Sequence, residues 1–382
     1  MTRLLLVGAG HAHLSVLRAF GRTPPPDTQI LLVTPYPRQV YSGMLPGWIA
    51  GHYTLDQCVI PLAPLLRGTP INVVAAHVVR LDLAARTAFT DRGHRIDFDI
   101  ASFDTGPSAD PDALPGLRAH GIPVRPIEQF IARWQQLMAV FAASAQSHQD
   151  GGGELPTVTV VGGGAGGLEL ALAAAWRAKS GPAMRVQLVS GKPGLLPGFA
   201  PRAKAMAQAC MRELDVRLIE DDAAELGADT VLLADGGELQ SNATIVAIGT
   251  AAAPWPAQAG LAVDARGFIA VDETLRSTSH PFVFAAGDCA SVVGHPRPKS
   301  GVYAVRAGPM LVDNLTRLIR GQPLRRYVPQ RRALYLLSTG RKHAIAAWGR
   351  FSAQGDWAWR WKDRIDRRFM ASFGVGGAGA TG

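Results

Sequence analysis

The sequence has few cysteines and no cysteine pair. Its 382 residues include three, Cys58, Cys210 and Cys289, and none of them lies in a CxxC or CxxxxC spacing. This distribution argues against a disulfide framework and against a local redox disulfide. We expect each cysteine to be a small, buried, apolar side chain.

Long apolar segments are also absent. No uninterrupted apolar run approaches the roughly 18 residues that are needed to cross a bilayer. The opening stretch, MTRLLLVGAG, has only about five apolar residues before a glycine, which is too few for the apolar region of a secretory signal. We therefore expect a cytoplasmic protein, or one that binds peripherally to the inner face of the cell membrane.

Acidic residues are scarce toward the C-terminus. The net charge of the chain is +9, and residues 316–382 contain 14 Lys and Arg against three Asp, a surplus of 11 that leaves −2 for the first 315 residues. The partner of this basic segment should therefore be sought at the C-terminal end. Nucleic acid is not expected there, because no recognition fold accompanies the charge.

A glycine-rich loop follows the N-terminal strand LLLV and precedes a helix with apolar residues on one face. Gly8 permits a tight turn, and Gly10 lets the backbone approach a pyrophosphate at the helix N-terminus. His13 replaces the third glycine of the GxGxxG pattern, so we expect the helix to stand slightly farther from the strand. No further metal ligand clusters with His11 and His13, so no metal site is predicted.

A second loop, at residues 162–167, meets the full GxGxxG pattern through Gly162, Gly164 and Gly167. It follows the strand TVTVV and precedes the helix LELALAAAW, which is the context in which this pattern binds a dinucleotide. The chain therefore has two candidate nucleotide loops.

Three strand ends complete the pattern. IASFDTG ends at Thr105-Gly106, NATIVAIG ends at Gly249, and HPFVFAAGDCA contains Gly287-Asp288. With the two loops, these motifs resemble the two-dinucleotide-domain flavoproteins of pyridine nucleotide-disulfide reductase architecture, in the family's order and over residues 1–320. The resemblance implies an α/β fold with two Rossmann-like dinucleotide-binding domains.

It also implies that the first loop holds the ADP half of FAD, while the second holds NADH or NADPH, which delivers hydride to the flavin. The predicted FAD contacts are Gly8, Gly10, His13, Thr34, Thr105, Gly106, Gly287, Asp288 and Gly301. The predicted NAD(P)H contacts are Gly162, Gly164, Gly167, Glu169, Ser190 and Gly249.

The branch of the family is indicated by the segment after the first loop. Disulfide reductases carry a cysteine pair there, whereas this chain reads YSGMLPGWIAGHYTLDQCVIPL, with Cys58 alone. The chain is more similar to type II NADH:quinone and sulfide:quinone oxidoreductases. It is closer still to flavoproteins found alone or fused to selenophosphate synthetase, at VYSGMLPGWIAGHY, PKSGVYAVRAGPML, STGRKHAIA and WKDRIDRRFM. Type II enzymes have two glutamines on the helix below the flavin, and both are absent from residues 301–306 of this chain. Sulfide:quinone oxidoreductases use separated cysteines, which this chain does not clearly provide.

Two residues are candidates for catalysis. Lys299 is either a cation at the flavin N1–O2 edge, which would stabilise the anionic reduced flavin, or a solvated loop lysine. Glu169 matches the family's GxE position near the nicotinamide, and the alternative is a partly exposed carboxylate favoured by the helix dipole.

Nucleotide selectivity is left open by the second strand after each loop. A carboxylate at the end of this strand normally binds the adenosine ribose, but these strands end at Thr34 and Ser190. We expect no carboxylate near Ser190 that would repel a 2′-phosphate, and Lys192 could attract one. The sequence is therefore consistent with NADH or NADPH, with a tilt to NADPH.

The C-terminal segment contains a hairpin pattern and then a helix. Aromatic and aliphatic residues recur every four positions, at Trp357, Trp361, Ile365, Phe369 and Phe373, among basic residues. Such a helix suits an anionic membrane interface. Packing of the same stripe on its own domain, or on the second subunit of a homodimer, is an equal alternative.

The predicted organisation has three parts: a discontinuous FAD-binding domain at 1–112 and 252–322, an NAD(P)H-binding domain at 113–251, and a small α+β cap at 323–382. The predicted activity is electron transfer from NAD(P)H through FAD to a quinone-like acceptor. Alternatives are a flavoprotein reductase in selenium or sulfur metabolism and a flavin-binding interaction module with little turnover.

Overall fold

The computed structural model describes residues 1–147 and 154–375, with the side chains of 145–147 left aside. The glycine-rich end of the predicted cap, from residue 376 on, therefore lies outside the described residues.

The first part of the chain builds the unit that carries the N-terminal loop. Its elements are β1 (Thr2–Val7), α1 (His11–Arg22), β2 (Thr28–Val33), β3 (Arg38–Val40), α2 (Leu45–Ile49), β4 (Val59–Pro61), α3 (Leu62–Leu66), β5 (Ile71–Val74), β6 (Val78–Asp82), β7 (Thr87–Thr90), β8 (Arg95–Asp97) and β9 (Ile100–Phe103). Two short 3₁₀ helices lie at Ser42–Met44 and Leu55–Cys58.

The second part builds the unit that carries the second loop. Its elements are α4 (Leu117–His120), β10 (Gly121–Pro123), α5 (Ile127–Ser147), β11 (Thr157–Val161), α6 (Ala165–Ala178), β12 (Arg185–Val189), α7 (Pro201–Glu213), β13 (Val216–Ile219), β14 (Ala223–Leu226), β15 (Thr230–Leu233), β16 (Glu238–Gln240) and β17 (Ala243–Val246). Helix α8 (Trp255–Gln258) follows, and its Trp255 packs against the core of the first unit. Strands β10, β17, β11, β12 and β13 form a parallel sheet in that order.

The chain then returns to the first unit. The returning elements are β18 (Ile269–Val271), β19 (Val283–Ala285), a 3₁₀ helix at Gly287–Cys289, β20 (Ala290–Val292) and α9 (Gly301–Ile319). Strand β19 pairs with β9 and completes a parallel sheet in the order β19-β9-β1-β2-β5. Both sheets are built from apolar runs such as LLLV, as expected for parallel strands that are covered on both faces.

Helix α9 packs against α1 behind the first loop. The two helices approach closely because α9 has Gly308 where a Cβ would overlap the side chain of Ser15. The apolar faces of both helices join one buried core with the first sheet, through Leu14, Leu17 and Leu311 among others. This packing fixes the N-termini of α1 and α9 relative to each other.

The last part of the chain forms the cap. It consists of β21 (Tyr335–Thr339), β22 (Arg341–Trp348), β23 (Phe351–Gly355) and α10 (Asp356–Ala371), with the three strands in an antiparallel sheet. The β21–β22 turn packs on α6, because Gly340 (φ +83°) comes so close to Leu172 that no Cβ would fit. Two parallel sheets and this small α+β cap confirm the predicted fold class, while the domain boundaries remain predictions.

Helix α10 divides the predicted aromatic stripe between two environments. Trp357, Trp361 and Ile365 are exposed, at 46%, 44% and 43% of their surface, whereas Phe369 and Phe373 pack against the core of the first unit. A four-residue recurrence advances about 400° on a helix of 3.6 residues per turn, so it drifts by about 40° at each step. The stripe therefore starts on the outer face and ends on the inner face. Packing on the chain's own core holds for Phe369 and Phe373, while attachment of the outer part to a membrane remains a prediction.

None of the described helices is long and apolar enough to cross a membrane.

Candidate functional site

A cavity of about 670 Å³ lies at the first loop. It is lined by residues from the first unit, the start of α9 and the beginning of the second unit. Among the predicted FAD contacts, the lining includes Gly8, Gly10, Thr34, Thr105, Gly106, Asp288 and Gly301. The structure thus brings together residues that are almost 300 positions apart in the sequence.

The close turn at the first loop is required by Asp104. A Cβ on Gly8, whose φ is +83°, would overlap the backbone of Asp104 and Thr105, and a Cβ on Gly10 would overlap the Asp104 carboxylate. The Asp104 Oδ2 accepts hydrogen bonds from the backbone N–H groups of Ala12 (2.8 Å) and His13 (2.9 Å) at the start of α1. Burial raises the pKa of Asp104 to about 7. The carboxyl group therefore satisfies helix donors that sequence reasoning had reserved for the pyrophosphate alone.

His13 lies behind the loop and does not line the cavity. Its ring is fully buried, with Nδ1 2.5 Å from the Gly8 carbonyl oxygen and Nε2 2.8 Å from Ser102 Oγ. Burial lowers its pKa to about 4, so the ring is neutral at neutral pH. The predicted direct contact of His13 with FAD is thus replaced by support of the loop from behind.

Opposite charges border the middle of the cavity. Asp288, which is partly buried, lines it from the first unit, and Arg125 lines it from the second. Burial raises the pKa of Asp288, and the nearby Arg125 opposes that shift. Helix α9 begins at Gly301 in the cavity wall, so its positive dipole end faces the same space.

The cavity lining also includes the residues that follow β2. Thr34, at the end of β2, is buried and lines it beside Tyr36. Arg38 donates two hydrogen bonds to Glu128, Nε to Oε1 at 3.0 Å and Nη2 to Oε2 at 2.9 Å, and both residues line the cavity. Glycine cradles, a helix N-terminus and a buried carboxylate fit the phosphates and ribityl chain of FAD.

The second loop is packed differently. A Cβ on Gly162 would overlap Ala247, and one on Gly167 would overlap the Gly162 carbonyl, but one on Gly164 would meet nothing within 4 Å. Gly164 is thus open toward the side from which a nucleotide would approach the start of α6. Gly249 (φ +44°) turns the chain after β17, close to Ala247 in sequence.

The environment of Ser190 corrects the sequence analysis. Its hydroxyl donates to the Ile219 carbonyl (3.3 Å), and a carboxylate does lie close by: Asp222 Oδ1 accepts the Lys192 backbone N–H at 3.0 Å. Asp222 Oδ2 is also 3.9 Å from Lys192 Nζ. The expected absence of a carboxylate near Ser190 was wrong, because the turn after β13 brings Asp222 beside the end of β12. The predicted preference for NADPH over NADH therefore loses the observation on which it mainly rested.

Lys299 does not line the FAD cavity. Its ammonium donates to the Ala290 carbonyl (2.5 Å) and lies 3.8 Å from the centre of the Phe268 ring. Burial lowers its pKa. It lines a small neighbouring pocket together with Asp288, so a role toward the flavin would have to act through that carboxylate.

Glu169 lies under the cap, where its Oε1 accepts the backbone N–H of Ser338 at 2.8 Å. Burial raises the pKa of Glu169 to about 7, although the nearby Lys362 opposes the shift. Lys362 comes from α10 and donates to Asp366 Oδ2 (2.6 Å) and to the Gly43 carbonyl (2.5 Å). Tyr41 donates to the other oxygen of Asp366 at 3.1 Å.

The three cysteines are free and buried. Burial raises the thiol pKa of all three, to about 12 for Cys58 and Cys289. A thiolate is the reactive form, so none of them is poised as a redox nucleophile.

Sequence reasoning missed four residues of this region: Asp104, Arg125, Asp222 and Lys362. Asp104 directly precedes the Thr105-Gly106 motif, so inspection of the residues next to that motif could have identified it. The other three have no local signal, since their roles depend on which elements pack together. Within residues 1–147 and 154–375, no group of three or more His, Cys, Asp and Glu could hold a metal ion.

Comparisons with known proteins agree with this arrangement. Residues 2–308 match the family described as pyridine nucleotide-disulphide oxidoreductase. A "NADH dehydrogenase-like protein" of Mycobacterium tuberculosis is 26% identical over 304 residues, covering 76% of this chain and 73% of the relative. A "Type II NADH:quinone oxidoreductase" of Staphylococcus aureus is 23% identical over 345 residues, covering 84% and 83%.

Solved structures show the same fold. The sulfide:quinone oxidoreductase of Aquifex aeolicus superposes with a TM-score of 0.78 at 18% identity, over 98% of this chain and 91% of the other. NDH2 of Plasmodium falciparum in complex with NADH gives a TM-score of 0.73 at 13% identity, over 98% and 99%. At these sequence identities the comparison establishes the fold and does not identify the electron acceptor.

Proposed function

The chain belongs to the pyridine nucleotide-disulphide oxidoreductase family, and on that basis we propose that it reduces a quinone-like acceptor with electrons from NADH or NADPH. At the coarser level it is an NAD(P)H-dependent flavoprotein oxidoreductase. FAD, when bound, supplies the chemistry that accepts two electrons from a nicotinamide and passes them on.

The residues at the first loop fit FAD and would hold it. Gly8 and Gly10 line the cavity and would face the pyrophosphate, Asp288 and the start of α9 border the same cavity, and Thr34 would border the adenosine. We propose that Thr105, Gly106 and Gly301 complete this binding surface. On the second unit, Gly162, Gly164, Gly167, Ser190 and Gly249 are the proposed NAD(P)H contacts.

The observation that carries the quinone proposal is the two-sided character of α10. Its outer face presents Trp357 and Trp361 to solvent. Its inner face places Lys362 against Gly43, next to Ser42 in the cavity wall. One helix thus has exposed aromatic side chains on one face and lies beside the cofactor cavity on the other. An acceptor dissolved in a membrane would then meet the protein close to its cofactor.

We propose Glu169 as the group that exchanges a proton with the acceptor. Reduction of a quinone to a quinol takes two electrons and two protons, while a nicotinamide supplies two electrons with one proton. The second proton must come through the protein. A carboxyl group with a pKa of about 7 can bind and release a proton at neutral pH, and Lys362 and Asp366 beside it connect it toward Tyr41.

The outer face of α10 is the proposed site of membrane attachment. Arg360, Arg364 and Arg368 lie on exposed positions of this helix, and none has a described carboxylate within 4.0 Å. Each such cation near an anionic surface contributes about 1 kcal/mol, and Trp side chains favour the interface. Lys362, by contrast, is held inward by Asp366, and Arg367, although exposed, is paired with Asp363.

The decisive experiment measures which acceptor re-oxidises the reduced protein. FAD-loaded protein is reduced anaerobically with one equivalent of NADH and then mixed with a short-chain quinone, a disulfide, a polysulfide or ferricyanide. We expect the quinone to re-oxidise the flavin fastest. Preferential reaction with polysulfide would favour the sulfur or selenium alternative, and failure of NADH and NADPH to reduce the flavin would favour the low-turnover module.

Two sets of variants test the parts separately. Glu169→Gln should slow re-oxidation by quinone by about 100-fold or more and remove a pH dependence near 7, while flavin reduction by NADH stays close to wild type. Trp357→Ala with Trp361→Ala should leave both steps intact with a soluble quinone but abolish flotation with anionic vesicles. A wild-type protein that never floats, and whose dimer dissociates in this variant, would assign the face to a homodimer.

A further inference from the structure

A second, open pocket lies at the junction of α6, the cap and the loop that follows α2. Its volume is about 840 Å³, and it is lined from three directions: by Gly51 and His52, by residues 176–180 at the end of α6, and by Arg341, Lys342 and Asp356 of the cap. It shares no lining residue with the FAD cavity.

The lining is strongly basic. Arg177, Lys179, Arg341 and Lys342 contribute four cations, against a single carboxylate in the lining, Asp356. Arg341 pairs with Glu213 at 3.2 Å, whereas Arg177, Lys179 and Lys342 have no carboxylate within 4.0 Å among the described residues. Like charges gathered around a concave surface raise the local potential and concentrate anions there.

Two of the cations, both exposed, lie over aromatic rings. Lys179 Nζ lies 5.9 Å from the centre of the Trp176 ring, and Lys342 Nζ lies 5.6 Å from that of Trp359. Cation–π contacts of this kind fix an ammonium without using its N–H donors, so both lysines remain able to donate to a ligand.

Arg177 is brought to the pocket by a glycine. Gly51 has φ +83°, and a Cβ at this position would lie 3.0 Å from Arg177 Nη1. A side chain there would be strained by its backbone and would crowd the guanidinium. Gly51 therefore permits the close approach between the loop after α2 and the end of α6.

The histidine in the wall adds no charge. His52 Nε2 lies 2.7 Å from the Gly340 carbonyl oxygen, which requires Nε2 to be the donor. Burial lowers the pKa of His52, and the neighbouring Lys342 lowers it further. The His52 ring also contacts Trp176 in a tilted geometry and Trp359 edge to face. It therefore packs between the two tryptophans that contact the lysines.

The helix dipole alone does not account for this arrangement. Basic residues at the end of α6 complement its negative dipole end, which explains Arg177 and Lys179. Arg341 and Lys342 are the first residues of strand β22 of the cap and would be expected to avoid further positive charge. Two elements that are distant in the sequence, the end of α6 and the start of β22, present uncompensated cations to one concavity.

We propose that this pocket binds a phosphate-bearing anion, with Arg177, Lys179 and Lys342 as its ligands. Arginine donates to phosphate oxygens in a bidentate manner, and lysine adds point charges. The phosphate could belong to a soluble metabolite or to a lipid headgroup, since Asp356 at the pocket edge is also the first residue of α10. The site is independent of the identity of the electron acceptor.

The test uses the FAD-loaded protein with NAD⁺ present, so that both nucleotide loops are occupied. Inorganic pyrophosphate is titrated calorimetrically, and vesicles of phosphatidylglycerol or of phosphatidylcholine are used in a parallel flotation assay. The pocket variant is Arg177→Gln with Lys342→Gln. The matched control is Arg92→Gln with Arg202→Gln, which removes two exposed cations outside the pocket.

We expect the pocket variant to weaken one of the two interactions by about tenfold or more, and the control to leave it unchanged. Loss of pyrophosphate binding assigns a soluble phosphate ligand, while loss of phosphatidylglycerol flotation alone assigns a lipid headgroup. Equal binding by wild type and pocket variant in both assays would overturn the proposal. Flavin content and NADH-dependent flavin reduction, measured on every variant, verify folding and keep this outcome separate from failure of the quinone assignment.

Discussion

The two glycine-rich loops have nearly the same sequence pattern but different surroundings. At the first, Asp104 and His13 occupy the space around the helix N-terminus, and the cavity is closed in by α9 and Arg125. At the second, the corresponding position, Gly164, faces open space. The difference matches a cofactor that stays bound at the first loop and a co-substrate that binds and leaves at the second.

Valine substitutions at equivalent glycines test this comparison most strongly. Gly10→Val would overlap the Asp104 carboxylate, so we expect protein without measurable FAD. Gly164→Val has space and an extended backbone, so the protein should retain FAD and lose only fast reduction by NADH. Flavin absorbance per chain and stopped-flow reduction measure the two effects. Equal loss of FAD in both variants would mean that the loops do not differ as described.

The buried carboxyl group at the first loop predicts a pH dependence of stability. Burial raises the folded-state pKa of Asp104 from 3.8 to about 7, so the folded state binds its proton more tightly than the unfolded state. Between these two values the free energy of unfolding should fall as pH rises. Urea unfolding of the apoprotein at pH 5 and pH 8 should show a smaller fall in Asp104→Asn than in wild type. An identical fall in both proteins would contradict the assignment.

Nucleotide selectivity at the second loop should depend on Asp222. Its carboxylate lies beside Lys192 and would repel a 2′-phosphate. We expect wild type to reduce its flavin faster with NADH than with NADPH, and Asp222→Asn to shift the ratio toward NADPH by about tenfold. Single-turnover reduction with each nucleotide measures the ratio. Lys192→Gln is the control and should shift it in the opposite direction.

The smallest effect is expected from the cysteines, which are distributed over both units. Replacement of Cys58, Cys210 and Cys289 by serine should leave NADH-dependent flavin reduction within about tenfold of wild type, or about 1.4 kcal/mol in barrier. Each thiol is buried with a raised pKa, so none is poised to react. A larger loss of the flavin reduction rate in a variant that still binds FAD would indicate that a thiol takes part in the reaction.

Deletion of α10 would be a poor test of membrane binding. Met370 belongs to the core of the first unit, and Tyr41 and Tyr53 donate to Asp366 and Asp363 of α10. Removal of the helix would expose these partners and uncover the core. Point variants on its outer face separate attachment from stability, because Trp357 and Trp361 on that face are exposed.

Much of the fold and of the cofactor site could be predicted from the sequence. Strand–glycine–helix patterns are local, so Gly8, Gly10 and the 162–167 loop identified both nucleotide loops, and the strand ends at Thr105 and Gly287 identified the return to the first unit. Family membership, fold class and both cofactors are confirmed. The specific contacts of Lys299 and Glu169 could not be predicted, because one side chain turns to Phe268 and the other meets Lys362 across the cap.

The sequence by itself determined where the loops lie, because backbone turns depend on glycines a few residues apart and parallel strands depend on continuous apolar runs. Only the tertiary structure decided how charges meet. Asp104 reaches the start of α1, Asp222 reaches the end of β12, and Lys362 reaches Glu169 through pairings of elements that are distant in the chain. Electrostatic interactions fall off with distance in space and depend on burial, and a linear pattern specifies neither quantity.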